Sequence, residues 1–166
     1  MKNIFLIGFM GVGKSTVAEA LGERLKSRVV EMDSLIADGR GMSIPDIFEK
    51  YGEFYFRNLE SNCLIELSLN DDQVVSCGGG LVIRPENVRL MKERGRIVLL
   101  SAEPSTIYER VKDDDSRPLL NSDMSIEHIT ELMEQRSDRY RNAADITLTT
   151  DGKSVDEICD ELISKI

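Results

Sequence analysis

Residues 8–15 read G-F-M-G-V-G-K-S, a complete match to G-x-x-x-x-G-K-[ST]. That spacing suits phosphate chemistry. The glycines let successive N–H groups turn inward around phosphate oxygens, and a following helix presents its positive dipole end. Lys14 can then reach the β- and γ-phosphates, while the Ser15 hydroxyl is placed for a Mg²⁺ ion. A glycine-rich turn that matches by accident is the alternative; it is disfavoured because a strand-like run precedes the motif and a helix-like one follows it. Two carboxylates, Glu31 and Asp33, fall two residues apart at the end of the next apolar run. In an extended chain they point to one side, toward the crevice where open α/β sheets hold ligands. Glu31 is expected to hold a Mg²⁺-bound water, and Asp33 to orient and deprotonate an acceptor hydroxyl. Asp33 is equally placed to cap a following helix, and both readings stand at this point.

Such groups need a frame. Apolar runs at 4–7, 29–32, 74–77, 97–100 and 146–148 alternate with longer segments of helical spacing. Val17, Ala18, Leu21 and Leu25 make one stripe of a helix after Lys14. Further helices are predicted over 43–51, 53–68, 85–93, 104–112, 125–141 and 154–166, the first with Ser43 as cap and Pro45 in its opening turn. Strands separated by such helices imply right-handed crossovers and a mostly parallel, doubly wound α/β sheet. The least regular stretch, 113–123, is rich in Asp, Ser, Asn and Pro and is placed to be a lid. No repeat or linker divides the chain, so 1–166 reads as one domain.

Composition narrows the partners. A chain of 166 residues, 41% hydrophobic and 31% charged, fits one ordinary globular core. No run approaches the roughly 18–20 apolar residues of a membrane span. The run 3–9 leads straight into the glycine loop and reads as a strand, not a signal peptide, so a cytoplasmic protein is expected. A net charge of −9 argues against a nucleic-acid surface and leaves any anionic ligand to a few focused cations. Cys63, Cys77 and Cys159 are widely spaced, which fits neither a disulfide framework nor a zinc site. His128 stands alone in a polar stretch and is expected at the surface.

Beyond the glycine loop come Met32-Asp33, Phe56-Arg57 with Glu60, Gly78-Gly79-Gly80 after a strand, Arg117-Pro118-Leu119-Leu120, and Arg136 with Tyr140. In order and spacing this series resembles the shikimate kinase family over about residues 3–145. The resemblance implies the P-loop NTPase fold of the nucleoside monophosphate kinase type, a five-stranded parallel sheet flanked by helices. It also implies a lid at about 113–123 and a substrate-binding segment at about 33–60. It implies transfer of the ATP γ-phosphoryl group to the 3-hydroxyl of shikimate by a monomer, with Mg²⁺ as cofactor. Carried over residue by residue, ATP falls to Gly11, Val12, Gly13, Lys14, Ser15, Thr16, Arg110 and Arg117. Shikimate falls to Asp33, Arg57, Gly79, Gly80 and Arg136. Lys14, Asp33 and Arg117 are the implied catalytic groups, and Ser15 and Glu31 the implied metal-binding ones.

The chemistry of these residue types agrees, since a planar guanidinium matches a carboxylate. Taken singly, Arg57 beside Glu60, and Arg136 among Glu131, Glu134 and Asp138, would read as surface ion pairs. Two positions depart from the family pattern. Glu31 stands first in a D-x-D segment, lengthening the carboxylate's reach. Cys77 occupies a place frequently held by threonine, where it is expected to be small and buried, or a modifiable thiol. The alternatives are a kinase for another small hydroxylated acceptor such as gluconate, and a module that senses ATP without transferring phosphate. A nucleoside monophosphate kinase is less attractive because no base-recognition motif is present.

Overall fold

Every residue of β1 (Asn3–Ile7) is buried, as expected of the central strand of a sheet covered on both faces. The computed structural model describes residues 2–112 and 125–166. Around β1 lie β2 (Arg28–Glu31), β3 (Gln73–Ser76), β4 (Gly95–Ser101) and β5 (Ile146–Thr149), in the order β2-β3-β1-β4-β5 with every neighbouring pair parallel. Parallel pairs need long crossovers, which the chain makes with α1 (Lys14–Leu25), α2 (Met32–Arg40), α3 (Ile44–Leu67), α4 (Pro85–Arg94), α5 (Pro104–Val111) and α6 (Ile126–Ala143). The last helix, α7 (Val155–Lys165), packs beside α1. There Arg24 bonds Asp156 at 2.9 Å and also Asp160.

The main core joins Phe5, Leu6 and Ile7 to Leu21, Ile97, Leu100 and Ile107, all fully buried. Each such side chain stabilises the fold by roughly 1.5–3 kcal/mol. A smaller cluster of Ile36, Ile47 and Phe56 holds α2 against α3 on one side of the sheet's edge. Gly52, at φ 84° and ψ 173°, breaks α3 into two helical pieces, at the point where the sequence predicts a break between 51 and 53. Ser43 caps α3 by accepting from the Asp46 N–H at 3.2 Å, and Ser154 closes a reciprocal capping box with Glu157 on α7.

Three expectations change. The second strand ends at Glu31, one residue short of the predicted 29–32, and Met32 opens α2, a helix the apolar spacing did not announce. Met32 and Ile36, four residues apart, both bury, and that pair draws the chain into a helix immediately. Glu31 and Asp33 are therefore not an extended pair. Glu31 is the N-cap residue of α2, without a side-chain cap bond, and Asp33 lies in the first turn, where its charge suits the helix dipole. His128 is half-buried in the first turn of α6, and its N–H donates to Ser125 Oγ at 3.1 Å. Among the described residues no helix is long and apolar enough to cross a membrane. The expected lid at 113–123, with Arg117, lies outside the described residues.

Candidate active site

The glycine loop joins β1 to α1, so its N–H groups stand at the carboxyl edge of the sheet. Gly11 at φ 82° and Gly13 at φ 102° take the left-handed conformations that curl such a loop. The loop walls one side of a cavity of ≈ 270 Å³ that Gly11, Gly13, Lys14, Ser15 and Thr16 share with Glu31, Asp33, Gly78, Gly79 and Arg110. Lys14 Nζ spans the loop, donating to the carbonyls of Gly8 at 2.8 Å and Phe9 at 3.1 Å. Arg110, on α5, donates through Nη1 to the Gly11 carbonyl at 3.0 Å, so it stands against the loop. Val12 has a buried side chain, and its N–H donates to Phe9 O at 3.3 Å. The Ser15 hydroxyl donates to Glu31 Oε2 at 2.5 Å. Ser76 pairs with Glu31 across the β2–β3 ladder, and its buried hydroxyl has no hydrogen-bond partner among the described residues.

The other end of the crevice gathers guanidinium groups. Arg57 is only 8% exposed and Arg136 only 7%, so neither is a surface ion pair. Arg57 Nη1 donates to Glu60 Oε1 at 2.7 Å, and its guanidinium lies 5.4 Å from the Phe56 ring and 6.0 Å from the Phe48 ring. This boxed geometry fixes the planar fork before any ligand arrives. The three glycines after β3 are the floor. A Cβ at Gly80 would fall 2.5 Å from Arg57 Cζ, one at Gly79 would fall 3.5 Å from Arg136 Nη1, and one at Gly78 would fall 2.5 Å from Glu60 Oε2 and 3.1 Å from Asp33 Oδ1. Burial pushes the Glu60 carboxyl up from its ordinary value, while the guanidinium of Arg57 pulls it down. Tyr140, one turn beyond Arg136 on α6, donates its hydroxyl to the Gly79 carbonyl. Burial pushes its phenol up as well. A carboxylate and a phosphate-sized loop thus line one crevice, with two buried guanidinium groups against the glycine turn that bounds it, which suits an anionic alcohol meeting a nucleotide.

A shikimate kinase family model matches residues 10–166. The chain belongs to the shikimate kinase family. A shikimate kinase of a Sulfurihydrogenibium species is 44% identical over 166 residues, covering 100% of this chain and 98% of the relative. A solved shikimate kinase from Acinetobacter baumannii, in complex with shikimate, superposes with a TM-score of 0.95 at 32% identity, over 99% of this chain and 92% of that one. A gluconokinase from Sinorhizobium meliloti reaches a TM-score of 0.60 at 16% identity, over 98% and 90% of the two chains, a likeness of fold alone.

Within this shikimate kinase frame, Asp33, Arg57, Gly79, Gly80 and Arg136 lie together, and Gly11, Gly13, Lys14, Ser15, Thr16, Glu31 and Arg110 line or adjoin the loop cavity. Sequence reasoning missed Gly78 as the spacer between two carboxylates, Phe48 as a wall of the Arg57 box, and Ser76 beside Glu31. The triple glycine carried a signal for the first; nothing in the spacing marked the other two. Cys77 is buried, as expected, and burial pushes its thiol up, which disfavours the thiolate that modification needs.

Proposed function

We propose that this protein transfers the γ-phosphoryl group of ATP to the 3-hydroxyl of shikimate, giving shikimate 3-phosphate and ADP. The single observation that carries the reading is the burial of Arg57 and Arg136 side by side at the Gly79-Gly80 turn, next to Asp33 and the P-loop, in a protein of net charge −9. Two buried cations, of which Glu60 pairs with only Arg57 among the described residues, call for an anionic ligand, and the shikimate carboxylate supplies it.

In this reading the carboxylate sits on the guanidinium groups of Arg57 and Arg136, which turns the ring so that one hydroxyl faces the loop. Asp33 accepts the proton of that hydroxyl as its oxygen bonds to the γ-phosphorus and the bond to the β,γ-bridging oxygen breaks. ADP leaves carrying the electron pair of that bond. Lys14 exchanges its two carbonyl contacts for phosphate oxygens, and the loop N–H groups with the α1 dipole hold the charge. Gly11, Gly13 and Thr16 serve ATP through the main chain, and Arg110 stands at the loop's rim.

The donor set beside the loop suits Mg²⁺, a hard ion that takes few protein ligands and keeps several waters. Ser15 Oγ and Glu31 Oε2 are hard oxygens already 2.5 Å apart, and Ser76 adds a buried hydroxyl without a hydrogen-bond partner among the described residues. Ser15 would hold the ion, with Glu31 on its water shell; when bound, Mg²⁺ offsets the charge of the phosphate oxygens. The same reading takes the protein to be a cytoplasmic monomer, as its resemblance to the family implies.

A coupled assay that follows ADP release across a panel of hydroxy acids tests the proposal. ADP release that depends on shikimate, with phosphate found on the 3-oxygen of the product, is expected. Turnover with gluconate and none with shikimate would overturn it.

A further inference from the structure

Tyr140 does more than fill space beneath α6. It lies four residues after Arg136, on the same helix face, and its buried hydroxyl donates to the Gly79 carbonyl. A trans peptide holds the carbonyl of one residue antiparallel to the N–H of the next. Drawing the Gly79 oxygen toward α6 therefore turns the Gly80 N–H away from α6. Among the described residues, no acceptor takes the N–H of Gly78, Gly79 or Gly80, whereas the preceding Cys77 N–H is held by Leu6 O at 3.0 Å. The Gly79–Gly80 peptide is flanked by residues without Cβ, so its orientation is soft unless something outside the turn fixes it. Its surroundings are those of the crevice: a Gly79 Cβ would lie 3.5 Å from the Met10 amide nitrogen of the P-loop, and a Gly80 Cβ would meet the Arg57 guanidinium.

We propose that Tyr140 is a positioning residue: by holding the Gly79 carbonyl it aims the Gly80 N–H, alongside Arg57, at an anionic oxygen of the bound ligands. This rests on the function proposed above. It gives α6 two linked tasks, since one face of the helix delivers the Arg136 cation directly and, one turn on, fixes a main-chain donor through Tyr140.

Tyr140→Phe keeps the ring and removes only the hydroxyl, so the core remains filled. The expected result is a loss of about fivefold or more in kcat/KM for shikimate, the worth of one hydrogen bond, with ATP affinity unchanged. A merely structural tyrosine would lower the melting temperature and leave that ratio intact; the hydroxyl also bonds the Arg136 side chain, so a loss in kcat/KM with an undiminished ligand shift at Gly80 would assign the effect to Arg136 and overturn the inference. A second measurement uses the unmutated protein. Its Gly80 amide resonance is expected to shift on adding ADP and shikimate together, and that shift is expected to shrink in Tyr140→Phe. Wild-type kcat/KM in the variant, or a Gly80 amide indifferent to ligands in the unmutated protein, would overturn the inference. If the unmutated protein does not phosphorylate shikimate, the proposed function itself falls; if it does and Tyr140→Phe is unimpaired, only the role of Tyr140 falls.

Discussion

Replacing Gly80 by alanine would test whether the Arg57 guanidinium is held by the glycine turn. At Gly80 the backbone has φ −104°, which any residue adopts, so the substitution introduces no backbone strain. What it introduces is one methyl group, 2.5 Å from Arg57 Cζ and 2.6 Å from Nη2. Ordinary contact begins at 3.4 Å, so the guanidinium must retreat by about 1 Å. It has little room to do so, being bonded to Glu60 at 2.7 Å and walled by Phe48 and Phe56. Retreat breaks or misaligns a charge-assisted hydrogen bond to the ligand, which costs about 1.5–3 kcal/mol, or roughly 10- to 150-fold in affinity. Steady-state kinetics with shikimate varied at saturating ATP would read this as a rise of that order in the shikimate KM, with the ATP KM within about twofold of wild type. Gly39→Ala is the control: nothing lies within 4 Å of its Cβ, and in the last turn of α2 alanine adds at most about 0.5 kcal/mol of stability. Unchanged shikimate kinetics in Gly80→Ala would refute the reasoning, because the methyl group and the guanidinium cannot both keep their places.

Ser154→Ala removes half of the α7 capping box and is expected to lower stability by about 1 kcal/mol, a fall of about 2–4 °C in Tm by calorimetry with kinetics unaltered. Glu31→Gln leaves the Ser15 contact geometry but removes a charge; Mn²⁺ binding to the protein–ADP complex, followed by electron paramagnetic resonance, is expected to weaken about tenfold. Burial, aided by Glu66 and Asp33, pushes the Cys63 thiol up to about 11. At pH 8 roughly 0.1% is then thiolate, against roughly a quarter for an ordinary thiol near 8.5, so iodoacetamide is expected to label native Cys63 about two orders of magnitude more slowly than the unfolded chain. The same shift has a sign in stability: the native state holds this proton more tightly, so stability is full below about pH 8.5 and declines as pH rises toward 11. Urea titrations across that range, compared with Cys63→Ser, would read the decline.

The sheet was legible because β1, β3 and β4 are buried on both faces and write themselves as short apolar runs between helical segments. The break in α3 was legible at Gly52, and its cap at Ser43, because these are local chemistry that needs no tertiary partner; the α7 start near 154 was legible too, though not the Ser154 capping box. Helix α2 was not, because in nine residues it buries only Met32 and Ile36 and carries Gly39 inside. One apolar pair is too little periodicity to set against an apolar run that continues through Met32. The arginines show the converse. Nearby acidic residues made Arg57 and Arg136 look like surface pairs, and only the fold, folding α3 and α6 toward the glycine turn, reveals that both are buried. The joint motif series identified them because it encodes that meeting in advance. Long-range contacts such as Tyr140 to Gly79, 61 residues apart, leave no trace in local spacing.

An organic acid is gripped beside the P-loop by its carboxylate at one end and its hydroxyl at the other. A crystal structure with shikimate and a non-hydrolysable ATP analogue tests it most directly. The carboxylate is expected within hydrogen-bond reach of both Arg57 and Arg136, a ring hydroxyl on Asp33, and the terminal phosphate on Lys14. Shikimate bound with its carboxylate away from both arginines, or with no hydroxyl near Asp33, would contradict it.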